Sequence, residues 1–133
     1  MTIDLTAITT FLRAQLPNLL ALYHFGSHAK GAADTNSDVD LAVLVDGKVD
    51  SIVLWELAQQ LADKIGCDVD LVDLRAASTV MQYQIITTGQ CLWASDVRAA
   101  IYESFILSEK TALDTLRKDL LSDIERDGSV YGR

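Results

Sequence analysis

The chain has 133 residues, 50% hydrophobic and 23% charged, which is the composition of one ordered globular domain with its own core. Its net charge of −8 argues against a surface that grips long nucleic acids through their phosphates, because that role needs a basic face. No apolar run reaches the roughly 18 residues of a membrane-spanning helix, and the N-terminus shows no signal-peptide pattern. These features predict a soluble cytoplasmic protein without direct nucleic-acid binding or membrane contact.

The first half of the chain predicts one helix and two strands on either side of a polar segment. Apolar side chains recur at helical spacing over residues 5–16, and Pro17 ends that helix. Residues 19–25 form a short apolar run of strand length. Small and polar residues fill 28–37, which predicts a short helical turn and a loop, and residues 38–45 then resume a strand.

The second half predicts three helices that alternate with two strands. Ser51 is expected to cap a helix that Gly66 ends, since glycine favours the left-handed conformation found after helices. In chain order the elements are a helix over 51–65, a strand over 68–72, a helix over 78–88, an edge strand over 91–93 and a helix over 95–126.

The order of these elements predicts a mixed α/β (α+β) fold, with a small mixed sheet covered by helices on one face and a long C-terminal helix. We expect one domain over residues 1–133, with a catalytic core at about 19–93 and the long helix at about 95–126. Apolar residues keep helical period in the two longest helices, which is typical of a face that packs on the protein. They are Ile52, Trp55, Ala58, Leu61, Ala62 and Ile65 in one helix, and Val97, Ile101, Phe105, Leu113, Leu116, Leu120 and Ile124 in the other.

Two aspartates, Asp38 and Asp40, lie two residues apart on the second predicted strand, so their side chains point to the same face. Ionised carboxylates held side by side repel each other, and a divalent cation relieves that repulsion. Hard oxygen ligands suit Mg²⁺, which keeps several waters and binds substrate phosphates. The pair therefore predicts a Mg²⁺ site.

The next predicted strand carries the candidate third carboxylate. Asp70 points away from the face of Val69 and Leu71, and it converges on the first pair if the two strands are neighbours. It is then placed to bind metal and to act as general base towards an attacking hydroxyl. Two Mg²⁺ ions about 4 Å apart would stabilise both the attacking and the leaving oxygen. Asp68 shares the face of Asp70 and competes for the same role.

Gly26 and Ser27 follow the first predicted strand and precede the polar segment. Glycine lets a phosphate approach the backbone, and Ser27 offers its hydroxyl and N–H together with the N–H groups of the turn that follows. Lys30 adds a positive charge near such a phosphate. The plain structural alternative is a simple turn at Gly26-Ser27 with solvent-facing aspartates on an edge strand, which does not explain three acidic residues on apolar strands.

The motif Gly26-Ser27, ten residues, Asp38-x-Asp40 resembles the signature of the DNA polymerase β-like nucleotidyltransferases. The compact size looks like the minimal nucleotidyltransferase (MNT) branch, and more closely like the antitoxins of HEPN/MNT toxin–antitoxin pairs. The motifs of this resemblance cover about residues 19–93. Many relatives carry arginine directly after Gly-Ser, where this chain has His28, so Lys30 is the remaining candidate for the phosphate contact.

The resemblance implies a mechanism and a partner. ATP binds through Gly26, Ser27 and the metal ions, Asp38, Asp40 and Asp70 complete a site for two Mg²⁺, and AMP moves to a hydroxyl while pyrophosphate leaves. In the antitoxin branch the acceptor is a tyrosine of the cognate HEPN ribonuclease toxin, which this modification silences. Two alternatives stay open: a nucleotidyltransferase for a small molecule such as an antibiotic, and a non-catalytic antitoxin that masks the toxin by binding.

Overall fold

A computed structural model describes residues 4–26 and 38–126, with side chains as far as residue 122. Within these ranges the helices and strands follow the predicted order. They are α1 (Leu5–Gln15), β1 (Leu19–Phe25), β2 (Val39–Val45), α2 (Ser51–Ile65), β3 (Val69–Asp73), a 3-10 turn (Leu74–Ala76), α3 (Thr79–Thr88), β4 (Gln90–Ala94) and α4 (Val97–Arg126). The helical turn expected within 28–37 lies outside the described residues.

Local chemistry explains where the helices begin and end. The Asp4 carboxylate accepts a hydrogen bond from Ala7 N–H at the start of α1. Asp50, and not Ser51 as predicted, caps α2 by accepting from the N–H of Ile52 at 2.8 Å. Gly66 ends α2 with φ +78°, in the left-handed conformation that its sequence position predicted.

The sheet is mixed, as the element order predicted. Its strand order is β3-β2-β1-β4, so β2 and β1 are central and β3 lies at an edge. β1 pairs antiparallel with both β2 and β4, whereas β2 and β3 are parallel. Because β2 and β3 are parallel and α2 connects them, the two strands begin at the same side of the sheet. Their aspartates therefore lie along the same edge, the one formed by the strand ends.

Helices cover both faces of this sheet, so the prediction of a single covered face is wrong. On one face α1 and α2 pack against β2 and β1 through Ile8, Leu12, Leu54, Leu57, Leu61, Val39, Leu41 and Val43. On the other face α3, α4 and the 3-10 turn pack through Ile85, Ala99 and Leu74 against Tyr23, Ala42 and Leu44. Both faces of β2 are therefore buried, which explains why its sequence is an almost continuous apolar run.

The buried faces of the two longest helices only partly match the prediction, which was right for Ala58 and Leu61 of α2. In α2 the buried residues are Leu54, Leu57, Ala58 and Leu61, while Ile52 and Trp55 are each 64% exposed. In the described part of α4 the buried residues are Ala99 and Ile106, and the predicted apolar set is mostly exposed. Both helices carry apolar residues on more than one face, so periodicity alone did not identify the face that packs. None of the helices in the described ranges is long and apolar enough to cross a membrane.

Candidate active site

Gly26 and Asp40 are in direct contact at the end of β1. Phe25 is the register partner of Asp40 across the β1–β2 pair, so Gly26 lies beside the Asp40 carboxylate. Gly26 has φ +78°, and a Cβ placed on it would lie 2.2 Å from Oδ2 of Asp40. Glycine is required here twice, for the backbone conformation and for the space that the carboxylate occupies.

Asp40 and Asp70 are direct register partners across the parallel β2–β3 pair. Partners in register project from the same face of a sheet, on strands about 4.8 Å apart. Val39 and Val69, one residue earlier on each strand, are also register partners and pack into the core on the opposite face. Strand pairing therefore brings together the two carboxylates that the sequence placed on separate strands.

Asp38 directly precedes β2 and is exposed. It lines an open groove of about 880 Å³ together with Asp68 and Asp70. The groove runs along β3 between α2 and the start of α3, and Trp55 and Met81 contribute to its walls. Asp68 differs from Asp70 in its backbone role, because its carbonyl oxygen accepts the N–H of Val39 at 2.9 Å.

The donor set fits Mg²⁺ by chemistry, although the carboxylates form pairs and not a closed cage. In residues 4–26 and 38–126, no three acidic, histidine or cysteine side chains lie close enough to enclose one ion. Mg²⁺ in nucleotide sites is typically held by one or two carboxylates, with waters and substrate phosphates completing its coordination. Asp40 with Asp70, and Asp38 on the same groove, supply oxygen ligands of that kind.

A second, smaller cavity lies beside Gly26, the residue that contacts Asp40. Its volume is about 140 Å³, and Phe25, Gly26, Met81, Gln84, Ile85 and Thr88 line it. Met81 borders both this cavity and the groove, so this residue of α3 lies between the two spaces. Sequence analysis missed Met81 and Gln84, since neither carries a motif and only the packing of α3 against β1 brings them here.

Two predicted phosphate-binding residues, Ser27 and Lys30, lie outside the described residues. The glycine that precedes them is described, and its contact with Asp40 fixes where the Gly-Ser segment leaves the sheet. The carboxylates and the start of this segment therefore share one edge of the sheet.

A partly buried hydrogen bond links α4 to β1, the strand that ends beside Gly26. The Tyr23 hydroxyl donates a hydrogen bond to Oε1 of Glu103. Burial is the main cause that raises the pKa of Tyr23 far above its usual range, and the bond to Glu103 and its negative charge raise it further. The neutral phenol thus holds α4 against β1, two residues before Phe25.

Comparison with known proteins decides the family. Residues 6–98 match the family model described as polymerase beta, nucleotidyltransferase. The chain belongs to the polymerase β nucleotidyltransferases. This membership confirms the family that Gly26-Ser27 and Asp38-x-Asp40 indicated in the sequence.

The chain is also similar to a protein adenylyltransferase and to chains of solved toxin–antitoxin structures. The protein adenylyltransferase MntA of Shewanella oneidensis is 40% identical over 117 residues, which cover 88% of this chain and 84% of that protein. A crystal structure of a toxin–antitoxin with AMP-PNP matches with a TM-score of 0.81 and 38% identity, over 92% of this chain and 99% of that one. The structure of a tri-AMPylated Shewanella oneidensis HEPN toxin in complex with MNT antitoxin matches with a TM-score of 0.73 and 36% identity, over 91% and 95% of the two chains.

Proposed function

We propose that this nucleotidyltransferase is an antitoxin that transfers AMP from ATP to a tyrosine hydroxyl of a cognate HEPN ribonuclease toxin and so neutralises it. The observation that carries the proposal is the contact of Gly26 with Asp40, which is itself in register with Asp70. A relative with 40% identity over 88% of the chain is a protein adenylyltransferase, which favours a protein as acceptor.

The proposed roles rest on the described positions of Gly26, Asp38, Asp40 and Asp70, and on the sequence motif alone for Ser27 and Lys30. Asp38, Asp40 and Asp70 are the ligands of two Mg²⁺ ions, and Gly26, Ser27 and Lys30 bind the triphosphate of ATP. When bound, Mg²⁺ neutralises charge on the triphosphate and on the leaving pyrophosphate. Asp70 accepts the proton of the acceptor hydroxyl. The hydroxyl oxygen forms a bond to the α-phosphorus as the bond from that phosphorus to the β-phosphate oxygen breaks, and pyrophosphate leaves.

The two spaces beside the aspartates suit the two substrates of this reaction. The cavity that contains Gly26 adjoins the Gly-Ser segment, so we assign it to the nucleotide. The larger groove contains Asp38 and Asp70, so we assign it to the side from which the acceptor hydroxyl approaches. Consumption of ATP and control of a ribonuclease both fit the cytoplasm as the place of the reaction.

Intact mass spectrometry of the toxin tests this proposal. The purified chain is incubated with ATP, Mg²⁺ and the product of the adjacent gene, which the proposal expects to be the cognate HEPN protein. We expect the HEPN protein to gain one or more AMP units, and the double variant Asp38→Asn with Asp40→Asn to abolish that gain. Asp63→Asn, which changes an exposed carboxylate on α2, is the matched control and should keep wild-type transfer.

Two results would replace the proposal with one of the alternatives. A stable complex without any mass gain, with toxin inhibition intact in the Asp38→Asn, Asp40→Asn variant, would establish an antitoxin that masks its partner by binding. AMP transfer to an aminoglycoside-type hydroxyl but not to the HEPN protein would establish a small-molecule nucleotidyltransferase.

A further inference from the structure

The direction of α4 relates its far end to the candidate active site. Near the start of the helix, Ser95 N–H donates to the carbonyl of Leu20 at 2.8 Å, at the beginning of β1. About two turns further along, Glu103 accepts from the Tyr23 hydroxyl near the end of the same strand. α4 therefore runs alongside β1 towards the edge of the sheet that carries Gly26 and Asp40.

The helix continues beyond that edge with mostly exposed side chains. Ile106 is the last buried residue among the described side chains of α4, and Lys110 makes its last described contact with the body, 5.1 Å from the ring centre of Tyr83. The main chain stays helical to Arg126. At 1.5 Å per residue, the helix beyond Ile106 extends roughly 30 Å.

This overhang carries an apolar stripe in solvent. Leu113, Leu116 and Leu120 follow each other at spacings of three and four, and Leu121 adjoins them; Leu113 is half-buried, whereas the other three are exposed. Leu116 is 59% exposed, and Leu120 and Leu121 are each 56% exposed. Helices in proteins gain most of their stability from packing an apolar face, and a row of exposed leucines marks a surface that another molecule covers.

We propose that residues 107–122, named here the docking arm, bind the protein acceptor and hold its hydroxyl over Asp40 and Asp70. This inference rests on the proposed function, since it requires that the acceptor is a protein. Because the arm begins beside the catalytic edge and projects past it, a protein bound along the leucines is also next to the groove of Asp38 and Asp70.

Charge favours a foreign partner over a second copy of this chain. Residues 1–96 carry 12 acidic and 5 basic side chains, so two copies brought together would repel each other. The arm itself is balanced, with three acidic residues (Glu109, Asp114, Asp119) and three basic ones (Lys110, Arg117, Lys118). The partner that fits has an apolar groove for the leucines, flanked by a basic surface that faces the acidic body.

A kinetic comparison of two helix variants tests the docking arm. The first is Leu116→Gln with Leu120→Gln, in which glutamine keeps helix propensity and adds no charge. The second is Ile101→Gln, the matched control. Ile101 is 61% exposed, but it belongs to the part of α4 that packs on the body of the protein through Ala99 and Ile106. AMP transfer is measured against the concentration of the HEPN protein, and circular dichroism verifies equal helix content.

We expect the double leucine variant to raise KM for the HEPN protein by roughly 10-fold or more, since truncating the few central residues that carry most of an interface's binding energy has an effect of that size. Its kcat at saturating HEPN protein and its affinity for Mg²⁺-ATP should match the wild type. Ile101→Gln should leave both kinetic parameters within about 2-fold, the range of surface substitutions that touch no interface.

Three outcomes would overturn the docking arm. The first is an unchanged KM in the leucine variant, and the second is an equal rise in KM in Ile101→Gln. The third is a wild-type dimer, seen by light scattering, that the leucine variant dissociates without any change in KM. Failure of the proposed function is distinct, because the wild type would then transfer no AMP. The arm is judged in that case by calorimetric titration with the HEPN protein, where equal affinities of wild type and leucine variant reject it.

Discussion

Replacing Gly26 with alanine tests the contact on which the candidate site depends. The new Cβ would lie 2.2 Å from Oδ2 of Asp40, whereas ordinary contact begins at 3.4 Å, so the carboxylate must shift by about 1.2 Å. Misplacement of a reacting group by about 1 Å costs on the order of 100-fold in rate, or about 2.7 kcal/mol. We therefore expect kcat/KM for AMP transfer to fall about 100-fold in Gly26→Ala.

Backbone strain accompanies this change and needs its own control. Gly26 has φ +78°, and an alanine in the left-handed region costs about 1–2 kcal/mol of stability. Gly47 has φ +90° in the turn after β2, and a Cβ placed on it meets nothing within 4 Å. Gly47→Ala should therefore lose similar stability in denaturant unfolding while keeping wild-type transfer.

The assay is the initial rate of AMP incorporation into the HEPN protein, followed by intact mass at a temperature well below both unfolding midpoints. Two results would refute the reasoning. If Gly26→Ala retains activity within about 3-fold, AMP transfer does not depend on the position that the Asp40 carboxylate occupies beside Gly26. If Gly47→Ala loses as much activity as Gly26→Ala, strain and not displacement of the carboxylate explains the loss.

Two further predictions concern the third carboxylate and the attachment of α4. Asp70→Asn should lower AMP transfer by 100-fold or more, roughly the contribution of a general base. Asp68→Asn should stay within about 3-fold, because Asp70 and not Asp68 is the register partner of Asp40. Steady-state rates of both variants decide this, and a larger loss in Asp68→Asn would reverse the assignment. Tyr23→Phe should lower the free energy of unfolding by about 1–3 kcal/mol at pH 7, since partly buried Glu103 loses its donor. Because the pKa of Tyr23 is higher in the folded state than in the unfolded state, its contribution to the free energy of unfolding is complete below pH 10.0, the ordinary pKa. That contribution decreases as pH rises above this value, since the unfolded chain then loses the proton first. Urea titrations at pH 8 to 11 should show this decline in the wild type but a weaker one in Tyr23→Phe, and equal declines would contradict the role of the phenol.

Sequence patterns identified the elements of the described chain because each pattern is local. Pro17 ends α1 by removing a backbone donor, and Gly66 ends α2 by adopting a left-handed conformation. The pair Asp38 and Asp40, with Gly26 before them, likewise follows from local order along the chain, which is why the family was recognisable without a structure. The phosphate-binding roles of Ser27 and Lys30 stay predictions.

The contacts between distant residues could not be obtained in this way. Strand order decides that Asp70 lies in register with Asp40, and the same spacing on another strand would have left it remote. Met81 and Gln84 border the cavity beside Gly26 only because α3 packs against β1. Neither residue has a local signal that distinguishes it from an ordinary helix residue.

The long C-terminal helix illustrates both what local sequence predicts and what only tertiary contacts decide. Its sequence determined that residues near 97–126 are helical, since propensity and period act between neighbours three and four apart. Which face packs depended on the body that the helix meets: small Ala99 allows close approach to the sheet, while Ile101 and Leu116 face solvent. Local sequence determined the elements and the chemistry of Gly26, Asp38 and Asp40. Only the tertiary structure decided which apolar faces are buried, because a face is buried only where a second surface packs against it and excludes water.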